Sequence, residues 1–339
     1  MDLATLWFAA VAVLWTGFLL LEGFDFGVAA LLPVLGRRPA DRHLMLRSIG
    51  PLWDGNEVWL ITAAGAVFAA FPGWYATWLP ALYLPFVLVL FGLIIRAVAF
   101  EWRHSHHTEA WDATWTRIIT AGSLIAALGV GAALGATTLG LPIDADGNRV
   151  GGAFAGLSWA ALLGAAAVLG FSLVHGALFL ALKVDGDVRL RARAFALRWS
   201  PVAALPLLGW AGWVHLRYGT PVTGVLWLIA ALAGVVAWAR IKVDAEGSAF
   251  AAWAVLLVAS AATIFGAAYP VVVPSTIDAA FDVTVTDASV SDYTLTVMTW
   301  AAAVGLPVVL GYQAWTYWVF RKRLTAEPVH EQPAEAARA

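Results

Sequence analysis

The chain contains no cysteine. That absence removes disulfides, thiolate metal sites, iron–sulfur clusters and a cysteine nucleophile in one step. A redox group held by this chain would need histidine or methionine ligands. Charge is scarce too. Only 12% of the 339 residues are Asp, Glu, Lys or Arg, about half the share of an ordinary soluble domain. With 61% apolar residues and a mean hydropathy of +0.80, the sequence calls for lipid as its solvent. Its basic residues fall in short loops rather than along one element, so no nucleic-acid surface is expected. There is no fixed-period repeat, and the longest loop, 271–293, is too short to bury a core of its own.

What is present is a succession of long apolar runs. A helix needs about 20 apolar residues to cross the hydrocarbon core. Candidate spans lie at 4–34, 53–71, 79–100, 117–139, 156–182, 199–216, 222–240, 249–270 and 294–320. Backbone facing lipid must bond to itself, and Ala/Leu/Val-rich runs of this length do so as helices. The abundance of Trp and Pro fits the same setting, since indoles favour the membrane interface and membrane helices tolerate Pro. The first run is followed, not preceded, by basic residues and continues through Leu31 and Leu32, the pattern of a retained helix and not of a cleaved leader. The expectation is an all-α integral membrane protein, a bundle of about nine transmembrane helices. Residues 1–324 form one transmembrane domain, and residues 325–339, with two prolines and mixed charge, form a disordered tail.

Orientation follows from Lys and Arg. With the N-terminus external, the cytoplasmic loops carry Arg37, Arg38, Arg42 and Arg47; Arg103 and Arg117; Lys183, Arg189, Arg191, Arg193 and Arg198; Arg240 and Lys242; and Arg321, Lys322, Arg323 and Arg338. Only Arg149 and Arg217 fall outside, with Arg96 inside a span. The C-terminus is then cytoplasmic.

Ionisable groups inside a span mark function, because each costs about 2.5–3.5 kcal/mol at a helix centre. Glu22 and Asp25 are spaced i, i+3 on one face of the first span. At 1.5 Å per residue, Asp25 lies on the order of 15 Å from the boundary near Gly36. The second span opens with Trp53, Asp54, Gly55, Asn56 and Glu57. The third ends in LIIRAVAFEWR, which puts Arg96 about one turn inside the boundary and Glu101 near it. If spans two and three form a hairpin joined by PGWYATW, Arg96 and the Asp54/Glu57 pair sit at matching depth for a salt bridge. Two readings stand side by side. One is a proton-accepting cluster open to the cytoplasm, with Asp54, Glu57, Asp25 and Glu101 as the path and Arg96 tuning it. The other is a static ion pair with carboxylates capping helix ends. Trp53, Asn56 and Glu22 are supporting residues in either case.

Of seven histidines, only His175 lies mid-span, and a lone histidine in a Gly/Ala-rich helix reads as a packing residue. The cluster around His104, His106 and His107 reads as a solvated loop. No metal site and no complete catalytic site is expected in this chain. Most tryptophans read as interface anchors or packing, and the paired glycines of GVGAALGA and GLSWAALLGAAAVLG as close helix contact.

GFDFG, GPLWDGNEVWLITAAGAVFAAFP, LIIRAVAFEWR, VVPSTID and LTVMTWAAAVGLPVVLGYQAWTYWVFRKR together resemble subunit II of cytochrome bd-type quinol oxidases. The resemblance extends over essentially the whole chain, and WDGNEVWL is its most specific part. It implies a multi-pass subunit of the bacterial cytoplasmic membrane, in a complex that oxidises membrane quinol and reduces dioxygen to water. Haems b and d belong to the partner subunit I, with none held by axial ligation here. The resemblance leaves room for a bound quinone or lipid and for small accessory subunits. Asp54 matches the family's carboxylate on a cytoplasmic proton route, Asp25 its helix-one aspartate affecting haem incorporation or proton delivery, and Arg96 also falls on a matching position. Two departures stand out. Thr116 follows Trp115 where many members carry an acid, with Asp112 nearby as a substitute, and the external segment 141–155 is short. A different class, a stand-alone secondary transporter using Asp25, Asp54 and Arg96, would show spans interrupted at the midplane in corresponding halves. Here only the start of the second span is broken.

Overall fold

A computed structural model describes residues 2–103, 105–106 and 108–325. The expectations for His104, His107, His330 and the tail from 326 onward lie outside the described residues. The chain forms helices α1 (Leu3–Ala30), α2 (Leu32–Leu35), α3 (Pro39–Ile49), α4 (Trp53–Ala70), α5 (Pro72–Ala81), α6 (Tyr83–Trp102), α7 (Glu109–Leu139), α8 (Trp159–Lys183), α9 (Asp187–Tyr218), α10 (Pro221–Lys242), α11 (Glu246–Ala268), α12 (Val285–Ala288) and α13 (Asp292–Val319), with strands β1 (Val271–Val273) and β2 (Val283–Thr284). Among the described residues, seven helices are long and apolar enough to cross a membrane: α1, α6, α7, α8, α10, α11 and α13. Helices also cover the other two expected spans, α4 with its polar opening and α9 with its basic first half.

Local chemistry sets the ends of these helices. The Asp2 carboxylate accepts from the Thr5 amide at 2.7 Å, and Thr108, Ser158, Thr220 and Ser291 cap α7, α8, α10 and α13 in the same way. Proline occupies the first turn of α3, α5 and α10, where its missing N–H costs nothing.

Three stretches expected as loops are helical. PGWYATW lies in α5, started by Pro72, and the chain breaks at Leu82 before α6. The third span therefore starts later than expected, and α4 and α6 are not joined by a simple turn. The basic stretch after Arg38 forms α3, which buries Leu44, Met45, Leu46 and Ile49. The segment from Asp187 is continuous with α9, entered through Gly186 at φ 80°, a conformation that favours glycine. Ion pairs stabilise this basic end. Arg191 donates to the buried Asp41 at 2.7 Å, and Arg38 also donates to it. Burial alone would raise the Asp41 carboxyl, but these arginines outweigh it and hold it below the usual carboxylate range. The buried Glu246 accepts from Arg189 at 2.9 and 3.0 Å and from Arg323 at 2.9 Å. That contact fixes the chain after α13, where the Leu324 amide donates to the Lys183 carbonyl.

At the opposite end, β1 and β2 pair antiparallel. The Ser275 hydroxyl donates to the Ile143 carbonyl at 2.8 Å, tying the short 141–155 segment to this loop.

Inside the bundle, glycines let backbones touch. A side chain on Gly131 or Gly164 would run into the other residue's carbonyl oxygen, joining α7 to α8. Gly92 and Gly122 do the same for α6 and α7, while between α1 and α8 a side chain on Gly27 would run into the Ser172 carbonyl and one on Gly176 into the Gly27 backbone. Between lipid-like surfaces, such dispersion contact replaces hydrophobic burial as the force that joins helices. Tryptophans add hydrogen bonds between helices. Trp253 donates to the Phe171 carbonyl at 3.1 Å, Trp210 to Thr138 at 2.8 Å, and Trp7 to Thr299 at 3.0 Å.

Gly164→Ala places a methyl group against the Gly131 carbonyl and the Gly135 backbone. It is expected to cost about 1–3 kcal/mol by overpacking, seen as a lower thermal midpoint of the purified complex. Gly209→Ala, also in a helix but with open space at its Cβ, is expected to be neutral or mildly stabilising.

Candidate functional site

The buried face of α1 presents Glu22 and Asp25, both fully enclosed. The packing face of α6, which carries Val89, Gly92, Leu93, Arg96 and Ala99 at helical spacing, turns Arg96 inward. There its guanidinium forms an ion pair with Glu22, and both side chains are completely buried. Phe26 and Phe100 face the guanidinium at 5.0 and 5.5 Å, a cation–π arrangement strengthened by desolvation.

Asn56 is the second hub. Its amide nitrogen donates to Asp25 Oδ2 at 2.7 Å. Its carbonyl oxygen accepts from the Tyr317 hydroxyl at 2.8 Å and from Gln313 Nε2 at 3.2 Å, so α13 closes the cluster. Glu57, half-buried one residue on, lies close enough to Arg96 and Glu22 for their charges to interact. Glu22 Oε2, Asp25 Oδ1, and Nε and Nη2 of Arg96 have no hydrogen-bond partner among the described residues.

The expected pairing of Arg96 with Asp54 and Glu57 is corrected by this geometry. Its ion-pair partner is Glu22. α4 packs chiefly on α1 and α6 on α7, so the arms of the supposed hairpin diverge and α1 supplies the counter-charge. Asp54 points away from the cluster: it is exposed, two residues from the buried Asn56 and so on nearly the opposite helical face. Glu101 is also exposed. Trp53 is half-buried and stacks on Phe100 at 4.9 Å, linking the outer acids to the Arg96 environment. Gln313 and Tyr317 were not singled out from the sequence. The signal was there, a polar pair spaced i, i+4 in an apolar helix, but nothing in spacing alone joins it to Asn56.

His175 is enclosed within the bundle. Its Nε2 lies 3.0 Å from the Leu20 carbonyl, and its ring is held between Phe250, stacked at 4.4 Å, and Phe171 at 4.8 Å.

The family profile described as cytochrome bd terminal oxidase subunit II matches residues 3–320. The chain is 38% identical to cytochrome bd ubiquinol oxidase subunit 2 of Bacillus subtilis, over 98% of each chain. It is 34% identical to cytochrome bd-I ubiquinol oxidase subunit 2 of Escherichia coli, over 96% of each. In fold it is similar to a chain of the bd oxidase structure from Geobacillus thermodenitrificans, with a TM-score of 0.77 and 17% identity, covering 94% of this chain and 99% of that one.

Arg96→Met leaves Glu22 as an unpaired buried carboxylate and is expected to cost about 3–5 kcal/mol. Adding Glu22→Gln is expected to restore most of that loss. A thermal-midpoint cycle over the two single variants and the double variant measures the coupling, and strictly additive losses would contradict the pairing.

Proposed function

The chain belongs to the cytochrome bd terminal oxidase subunit II family, and from that membership we propose that it is the haem-free subunit of a quinol:dioxygen oxidoreductase, supporting a haem-bearing subunit I and carrying protons toward the site where dioxygen becomes water. It is a multi-pass protein of the bacterial cytoplasmic membrane. Its partners are subunit I, membrane quinol and lipid, with haems b and d in subunit I and room for small accessory subunits. Nine helices cross the membrane with the N-terminus external and the C-terminus cytoplasmic, a reading supported by the distribution of Lys and Arg.

One observation carries the proton role: carboxylates at the start of α4 and on α1 run from exposed to enclosed. Asp54 is exposed, Glu57 half-buried, and Asp25 and Glu22 completely buried. A buried site receives protons only through titratable groups or water held by polar ones. The unpartnered oxygens of Glu22 and Asp25 and the unpartnered nitrogens of Arg96 are groups of the kind that internal water serves. Asp54 gathers protons at the boundary, Glu57 relays them inward, and Asp25, held by Asn56, receives them. Glu101 extends the acidic mouth. Arg96, neutralised by Glu22, sets the local potential, and Trp53 packs the mouth against Phe100.

Asp54→Asn keeps the side chain's size and removes its exchangeable proton. The expected result is an assembled, haem-replete complex with impaired oxygen consumption. Full quinol oxidase activity across pH in such a complex would rule out the role for Asp54. For topology, Leu190→Cys in this cysteine-free chain should react with an impermeant maleimide only from the cytoplasmic side of oriented vesicles. Labelling of intact cells from outside would reverse the orientation.

A further inference from the structure

Two neighbouring cavities of about 30 Å³ each lie in the half of the bundle that ends at the β1–β2 loop. One sits between α1, α5, α7, α11 and β1, the other between α1, α7, α9 and α11, and Trp15, Leu134, Thr138 and Phe265 line both. Bonded indoles hold the walls in place. Trp78 donates to the Thr137 hydroxyl, Trp210 donates to Thr138 at 2.8 Å, and Trp15 stands edge-on to Trp78 with ring centroids 5.7 Å apart. Rings fixed in this way do not swing inward, so a gap persists that flexible side chains would close. The lining also turns water away. Each threonine hydroxyl that accepts from an indole also donates to a carbonyl of its own helix, Thr137 to Ala133 at 2.7 Å and Thr138 to Leu134 at 3.1 Å. Trp74 Nε1 is the buried polar atom of the lining that has no hydrogen-bond partner among the described residues. One donor does not hold a buried water, which makes about three hydrogen bonds, whereas apolar cavities accept xenon and similar guests.

We propose that the paired cavities hold dioxygen, as an apolar store within this subunit. Size and polarity together select this ligand. One water-sized sphere takes about 10–15 Å³ of such space, so each cavity admits a diatomic molecule and excludes a quinone ring or an acyl chain. Dioxygen has no permanent dipole and needs no hydrogen bond, so it gains dispersion contact from the aromatic walls and forfeits nothing on leaving water. The choice of dioxygen among apolar gases rests on the reading of this chain as part of a dioxygen-reducing complex. The site itself rests on the geometry of the two cavities, and neither depends on proton transfer by Asp54.

The test pressurises crystals of the purified complex of both subunits with xenon and locates the anomalous signal. Xenon is expected in both cavities of the wild type, and Leu134→Phe, which pushes a ring into their shared wall, is expected to lose it from both. If Leu134→Phe fails to assemble, Ala261→Val, which borders the cavity toward α9 and not the one toward α5, is expected to lose xenon from the first and keep it in the second. The KM for dioxygen of the variant is expected to rise about threefold, as the loss of a binding contribution does. No xenon in the wild-type cavities, or ordered water in them, overturns the site. Xenon binding with an unchanged KM for dioxygen in an active variant overturns the dioxygen assignment alone. A wild-type complex that takes up xenon here but consumes no dioxygen overturns that assignment together with the function proposed above.

Discussion

A carboxylate and a guanidinium removed from both water and lipid must stay within hydrogen-bond range, because parting them inside hydrocarbon leaves two uncompensated charges. Glu22 on α1 and Arg96 on α6 are under that constraint, and much of the surrounding arrangement follows from it. It fixes the rotation of both helices about their axes. With α1 so turned, Asp25, one turn further on, faces the start of α4, where Asn56 meets it. With α6 so turned, Gly92 meets Gly122, and Arg96 itself lies against α7. The polar cluster and the small-residue contacts are two results of one choice of helix faces.

The second requirement is dense packing without a hydrophobic driving force between helices. Glycine contacts along α1, α6, α7 and α8 bring backbones close enough for dispersion to serve, and indole N–H groups supply directed bonds from α9 to α7 and from α11 to α8. Rigid backbone contact also matters for the cluster. A buried carboxylate keeps its partners only if the helices carrying them do not slide.

Much of this was legible in the sequence. Apolar runs marked the stretches that became the long helices, the i, i+3 spacing put Glu22 and Asp25 on one face, and the glycine pairs announced the α7–α8 contact. The misreadings have physical causes. PGWYATW looked like a turn because Pro and Gly punctuate chains, yet Pro72 sits at the one helical position that welcomes it. The basic stretches of α3 and α9 read as loops because charge usually signals solvent, whereas Asp41 and Glu246 pair with arginines of α9 that lie on a helix. Arg96 was matched to Asp54 and Glu57 by depth alone. Depth along a helix is readable from sequence, but azimuth between distant helices is not, and azimuth chose Glu22. The Asn56–Tyr317 bond joins residues 261 positions apart, so no local pattern encodes it.

That last bond bears on how the protein is made. Asn56 enters the membrane early in synthesis, while the groups that satisfy its carbonyl, Gln313 and Tyr317, lie 257 and 261 residues later on the last long helix. Until α13 is inserted, the nascent bundle carries an unsatisfied amide beside a buried carboxylate. Insertion of α13 is thus registered at the centre of the polar cluster. A chain stalled before α13 would leave the Asn56 carbonyl under-bonded, and one that has inserted α13 satisfies it.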